Sequence, residues 1–212
     1  MSLVLNMVGV GGGGKSRLPS AYQEVEYLES TGTQGFLTGV YFKPYTTIHV
    51  DFMWTALTYD TDIIDVEGGT NGFAILINIY NNNKNRVIVR TSSSPQQSAD
   101  SFSANTQYSA DIVGWASGTT VFFNSAQWNA VGYITTTNYP LQLFGRNLSG
   151  TLGCFPSCRI YSCTIRDGGT LVRNFVPCRR KSDSVAGMYD LVNDLFYTNE
   201  GTGSFIVGAD VR

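Results

Sequence analysis

Ser157–Gly208 reads SCRIYSCTIRDGGTLVRNFVPCRRKSDSVAGMYDLVNDLFYTNEGTGSFIVG, and its pattern decides the fold class. Two runs rich in β-branched and aromatic residues, RIYSCTI and TLVRNFV, flank Asp167-Gly168-Gly169. Glycine reaches positive φ without steric cost, so this spacing predicts a tight β-hairpin. A second pair of runs, GMYDLV and LFYTN, flanks Asn193-Asp194, residues that favour turns by bonding nearby backbone. Between the hairpins, CRRKSDSVA is polar and charged and reads as a solvated connection; a last strand follows the second hairpin. No helical stretch of comparable clarity occurs elsewhere, so the chain is read as all-β.

Outward from this stretch, Tyr45–Trp54 (YTTIHVDFMW) alternates cleanly. Period two places Ile48, Val50, Phe52 and Trp54 on one face, and Thr47, His49, Asp51 and Met53 on the other. GFAILINIY (72–80) and RVIVRT (86–91) form a candidate hairpin across Asn81–Asn85. Further strands are expected at Tyr108–Gly114, Thr119–Asn124 and Leu141–Arg146, with Ser92–Ser101 as a polar loop because Pro95 cannot donate within a central strand. Turn signals recurring between short strands predict one antiparallel β-sandwich over residues 18–212. The chain has 212 residues, enough to bury a core without metal or disulfide support. Only 14% are charged and the net charge is -2, so no basic face points to nucleic acid. No apolar run approaches the about 20 residues of a membrane span.

Residues 1–17 read as an N-terminal arm with a glycine-rich linker. MSLVLNMVGV lacks the basic leader and apolar core of a secretory signal, so cytoplasmic synthesis is expected. Apolar residues outside a domain are costly to leave in water, so Leu3, Leu5 and Met7 are expected to dock on a neighbouring subunit by strand addition. Gly9–Ser16 also satisfies the phosphate-loop pattern G-x-x-x-x-G-K-S/T. That chemistry needs a helix beginning at the Lys-Ser pair, whose N–H groups surround phosphate. Arg17-Leu18-Pro19 follows instead, and Pro19 disfavours helical geometry at Leu18, so the segment reads as a linker.

Ile160–Phe205, IYSCTIRDGGTLVRNFVPCRRKSDSVAGMYDLVNDLFYTNEGTGSF, resembles the C-terminal signature of concanavalin A-like, laminin G-like β-sandwich modules. Leu18–Pro44, LPSAYQEVEYLESTGTQGFLTGVYFKP, is similar to their N-terminal signature, and the two ends cover about a third of the chain. Such modules are common in phages and mobile elements of gut Firmicutes. The resemblance implies a lectin-like jelly roll in a virion or surface protein: a capsid decoration, head-fibre or tail-associated subunit, oligomeric in its assembly and bound to other virion subunits through the arm. A second reading is a carbohydrate-binding adhesin for mucin or bacterial-surface glycans. A glycoside hydrolase is a third.

The hydrolase reading rests on Asp62-Ile63-Ile64-Asp65-Val66-Glu67. Some glucanases of this broad fold carry a Glu-x-Asp-x-Glu strand; Asp65 and Glu67 match its last two acids, but Ile63 stands where the nucleophile belongs. Strand alternation directs Asp62 to the opposite face. Retaining hydrolysis needs paired carboxyls, so no catalytic residue is assigned. His49, the single histidine, has no nucleophile tied to it by local sequence. Cys154, Cys158, Cys163 and Cys178 lack zinc spacing. A three-residue hairpin loop would place Cys158 opposite Cys178, although buried reduced thiols suit cytoplasmic assembly better. Asp60 with Asp62, or Asp190 with Asp194, offers too few oxygens for calcium, so no metal and no cofactor are expected. Sugars present C–H faces to aromatic rings and hydroxyls to amides. Trp128, Tyr133, Asn138 and Tyr139 lie in such a loop-rich stretch and form the expected glycan site, with Trp54 assigned to the core and Trp115 to either role.

Overall fold

The computed structural model describes residues 17–58, 60–67, 73–79, 87–91, 94–97, 102–116, 118–124, 126–131 and 136–211. Among these there is no helix. The first half carries β1 (Tyr22–Glu24), β2 (Leu28–Thr31), β3 (Phe36–Tyr41), β4 (Thr46–Trp54), β5 (Ile64–Glu67), β6 (Phe73–Ile79), β7 (Val87–Thr91) and β8 (Ser94–Gln97). The middle carries β9 (Gln107–Trp115), β10 (Gly118–Phe123), β11 (Ala126–Val131), β12 (Pro140–Leu143), β13 (Arg146–Leu148) and β14 (Thr151–Gly153). The last stretch carries β15 (Ser157–Asp167), β16 (Thr170–Arg180), β17 (Ala186–Asp190), β18 (Leu195–Thr198) and β19 (Ile206–Val207).

The largest sheet runs β11-β10-β9-β4-β15-β16-β17-β18, with β1 added beside β16, β2 beside β15 and β19 beside β2. A second sheet runs β14-β13-β5-β12-β3, and a third β6-β7-β8. All these pairings are antiparallel except β13 on β5. The alternation read in β4 holds: Ile48, Val50, Phe52 and Trp54 are fully buried, and of the opposite row only Met53 is covered. These side chains meet Phe36 of β3, Ile64 and Val66 of β5, and Leu141 and Leu143 of β12 in one hydrophobic cluster. Phe36 places its ring 5.6 Å from Phe175 of β16 and 5.5 Å from Tyr197 of β18, so the second sheet is packed on the first. Each large side chain buried this way contributes about 1.5–3 kcal/mol.

The first hairpin has a two-residue turn. Asp167 lies opposite Thr170, and Gly168 and Gly169 sit at φ 54° and 89°, the pair of positive φ values that matches strand twist. A register shift at Ile165/Arg166 follows, and the long strands then diverge. Beyond the fork, β15 pairs with β2 and β16 with β1. Cys158 therefore stands between Ser30 and Trp54, and Cys178 between Glu24 and Gly187. All four cysteines are free thiols, and the pairing of Cys158 with Cys178 drawn from a three-residue loop does not form.

Other boundaries move for physical reasons. Cys178–Arg180 belong to β16 rather than to the solvated connection, because β1 supplies partners for their backbone. Ser94–Gln97 forms an edge strand rather than a loop, a position where Pro95 leaves no ladder bond unmade on its outer side. Leu141–Arg146 divides into two strands at Phe144-Gly145, both at positive φ. The N-terminal side is strapped down by Leu18, buried against Val176, Cys178 and Tyr189 in a second cluster, and by Tyr22, 4.8 Å from Tyr189. Leu3, Leu5, Met7 and the glycine-rich Gly9–Ser16 pattern lie outside the described residues.

Candidate functional site

Asp62–Val66 is built into the interior, and the side chain of Glu67 lies outside what the structure describes. Asp62 precedes β5 rather than lying within it, so strand alternation does not separate it from Asp65. Both carboxylates are 0% exposed and converge on Arg146, which β13 holds beside Asp65 in parallel register. The guanidinium Nε donates to Asp65 Oδ2 at 2.9 Å and to Asp62 Oδ2 at 3.1 Å, and Nη2 donates to Asp60 Oδ1 at 3.0 Å. Asp62 Oδ1 has no hydrogen-bond partner among the described residues. Burial first, then the Asp65 charge, pushes the Asp62 carboxyl well above its ordinary value. Burial likewise pushes the neighbouring Cys154 thiol up to about 12. Neither acid can reach a sugar: the two share Arg146 in one buried ion cluster, and the opposite-face placement expected for Asp62 does not occur.

His49 lies on the outward face of β4, between two acids. Its Nε2 is 3.3 Å from Asp51 Oδ2 and its Nδ1 2.7 Å from Asp111 Oδ1, while the Ser162 hydroxyl donates to Asp51 Oδ2 at 2.7 Å. Ser162 thus bonds the acid and not the imidazole, which is not the relay a serine nucleophile needs. The bond to Asp51 is the main cause raising His49 to about 9, and it lowers Asp51 to about 2. A raised histidine favours folding fully below its unfolded value of 6.5 and loses that contribution as pH rises through about 9. His49→Gln should therefore flatten the stability profile between those limits. With His49 36% exposed the effect stays below about 1 kcal/mol, readable by urea titrations at pH 6 and pH 9.5.

Exposed aromatics gather at the tip of the β15–β16 hairpin. Tyr45, Thr47, Val113, Trp115, Gly168 and Gly169 line an open cavity of about 320 Å³. Trp115 is 49% exposed and Tyr45 54% exposed. The Trp115 indole N–H donates to Thr120 Oγ1 at 3.1 Å, which fixes the ring. Tyr45 is held at φ 68°, its N–H donating to Gly114 O at 2.9 Å and its carbonyl accepting from Gly168 N at 3.2 Å. Such a conformation costs a bulky residue about 1–3 kcal/mol and persists where its surroundings enforce it, often at ligand sites. A second cavity of about 400 Å³ includes Tyr41, Lys43, Thr136, Asp167 and Arg173 in its lining, and Lys43 pairs with Asp167 at 2.8 Å.

Of the expected glycan residues, only Asn138 and Tyr139 have described side chains, and neither lines the Trp115 cavity. Trp128 lies on β11, a strand rather than a loop, opposite Val121, and its side chain is outside what the structure describes. Tyr133 is also outside the described residues. Asn138 is exposed, two residues from Thr136 of the second cavity, whereas Tyr139 packs on the core. Tyr45 and Trp115 were not legible as a pair from sequence, since only β4–β9 pairing brings them together; the signal available was an aromatic at the end of each strand. Asp190 of the other calcium pair is consumed locally: its Oδ1 accepts from Asn174 N at 2.9 Å and Val192 N at 3.0 Å. No protein-family model matches the chain, and no curated protein matches it. Among the described residues no helix is long and apolar enough to cross a membrane.

Proposed function

We propose that the chain is a non-enzymatic, lectin-like display module: a two-layer concanavalin A-like jelly roll that binds cell-surface or mucin glycans and is carried on a phage virion. The observation that supports glycan binding is the immobilised, half-exposed Trp115 ring facing an open cavity with Tyr45, a stacking platform backed by hydroxyl and backbone groups. The virion setting rests on the resemblance of the two chain ends to phage-borne modules. In this reading the arm, through Leu3, Leu5 and Met7, joins the sandwich to other virion subunits, and the display of many copies turns weak single sites into firm attachment.

A glycan array probed with the intact protein tests the site. Binding should appear on some glycans and fall by at least about tenfold in Trp115→Ala, the loss expected for about 1.4 kcal/mol of stacking. Trp128→Ala serves as the comparison: if it removes binding and Trp115→Ala does not, the site lies on β11. Deleting residues 1–14 should abolish incorporation into the particle while glycan binding persists; a truncated protein that still assembles refutes the attachment role.

A further inference from the structure

The cavity at Trp115 is one end of a longer strip. Along the outward face of β4, β9 and β15, Thr47 and Val113 are followed by the His49, Asp51, Asp111 and Ser162 cluster. A register shift between Ile160 and Ser162 then turns Tyr161 outward beside Met53, to which its hydroxyl comes within 3.9 Å. Tyr27 meets Tyr161 edge-on at 5.6 Å and carries the Arg159 guanidinium over its ring at 4.3 Å. The strip thus has aromatic rings at both ends and hydrogen-bonding groups between them.

We infer that this face binds an internal stretch of a linear, neutral polysaccharide rather than a terminal sugar. The inference rests on the glycan-binding reading above and specifies its ligand. Thr47 to Met53 spans about 20 Å at strand rise, a length filled by about four extended pyranose units. End rings stack on the C–H faces of the outer sugars, while the central carboxylates, held in place by His49, accept hydroxyl hydrogens. The strip sets three cations, His49, Arg159 and the exposed Arg166 opposite Thr47, against three carboxylates, Asp51, Asp111 and Glu29, so no net positive charge selects sialylated or sulfated chains. A protein partner would instead meet an apolar centre with a polar rim, the reverse of this order.

Calorimetric titration of the intact protein with cello-, manno- and chito-oligosaccharides of one to six residues decides the question. In the series that binds, affinity should climb at least tenfold from disaccharide to tetrasaccharide and then level. Tyr161→Ala should erase that climb, and Tyr161→Phe, which keeps the ring, should restore it. A monosaccharide that binds as tightly as a hexasaccharide, with Trp115→Ala still abolishing binding, overturns the extended ligand but not the cavity. If no fragment binds and the array is also blank, the glycan reading itself falls. A climb that survives Tyr161→Ala in a folded variant overturns the far-end platform.

Discussion

Arg146→Met should lower the unfolding free energy by about 3–5 kcal/mol, the cost of leaving buried carboxylates without their cation. Arg146 is 7% exposed and is the counter-charge shared by Asp62 and Asp65, both fully buried, and by the half-exposed Asp60. Methionine fills similar volume but donates nothing, so Asp65 must either keep its charge in a low-dielectric interior or take up a proton. The sign of the pH effect follows. Asp62 already has a raised folded-state value, so its protonated form favours folding at low pH and that contribution fades as pH climbs above the unfolded value of 3.8. In Arg146→Met, Asp65 should join it, and stability should recover as pH falls from 7 toward 4. Adding Asp62→Asn and Asp65→Asn to the Arg146→Met background should recover most of the loss at pH 7. Urea unfolding at both pH values reads all of this. An Arg146→Met protein within about 1 kcal/mol of the parent at pH 7 would show that water screens the cluster.

Trp54 gives the second large effect. It is a fully buried side chain at the end of β4, with its ring 4.8 Å from Phe52, 5.8 Å from Phe102 and 5.8 Å from Tyr108. Trp54→Ala should cost about 3–5 kcal/mol through lost transfer energy and the cavity left behind. Trp54→Phe should cost less than half as much. Its indole Nε1 is buried without a hydrogen-bond partner among the described residues, and an unsatisfied buried donor carries a penalty of about 1–3 kcal/mol that phenylalanine removes. Equal losses for the two variants in thermal and urea unfolding would mean that the N–H is satisfied after all.

The all-β class was legible because strand periodicity is local. Ile48, Val50, Phe52 and Trp54 announce a core face within nine residues, and the structure buries each of them. The hairpin at Gly168-Gly169 was legible for the same reason, yet its register was not. A one-residue difference in loop length exchanges every cross-strand partner, and the fork at which β1 and β2 enter depends on segments more than a hundred residues away. Asp62 and Asp65 were misread because period-two alternation was extended to Asp62, two residues before the strand begins, and because the partner that buries them, Arg146, is distant in sequence.

Sequence by itself determined the secondary structure class and most strand cores, since backbone sterics and apolar alternation act over a few residues. Tertiary structure alone decided that Asp62 and Asp65 share Arg146, that His49 is clamped between Asp51 and Asp111, and that Tyr45 and Trp115 frame one cavity. Each of these depends on which strand lies beside which, and in a sheet that choice is made by long-range pairing that no local pattern encodes.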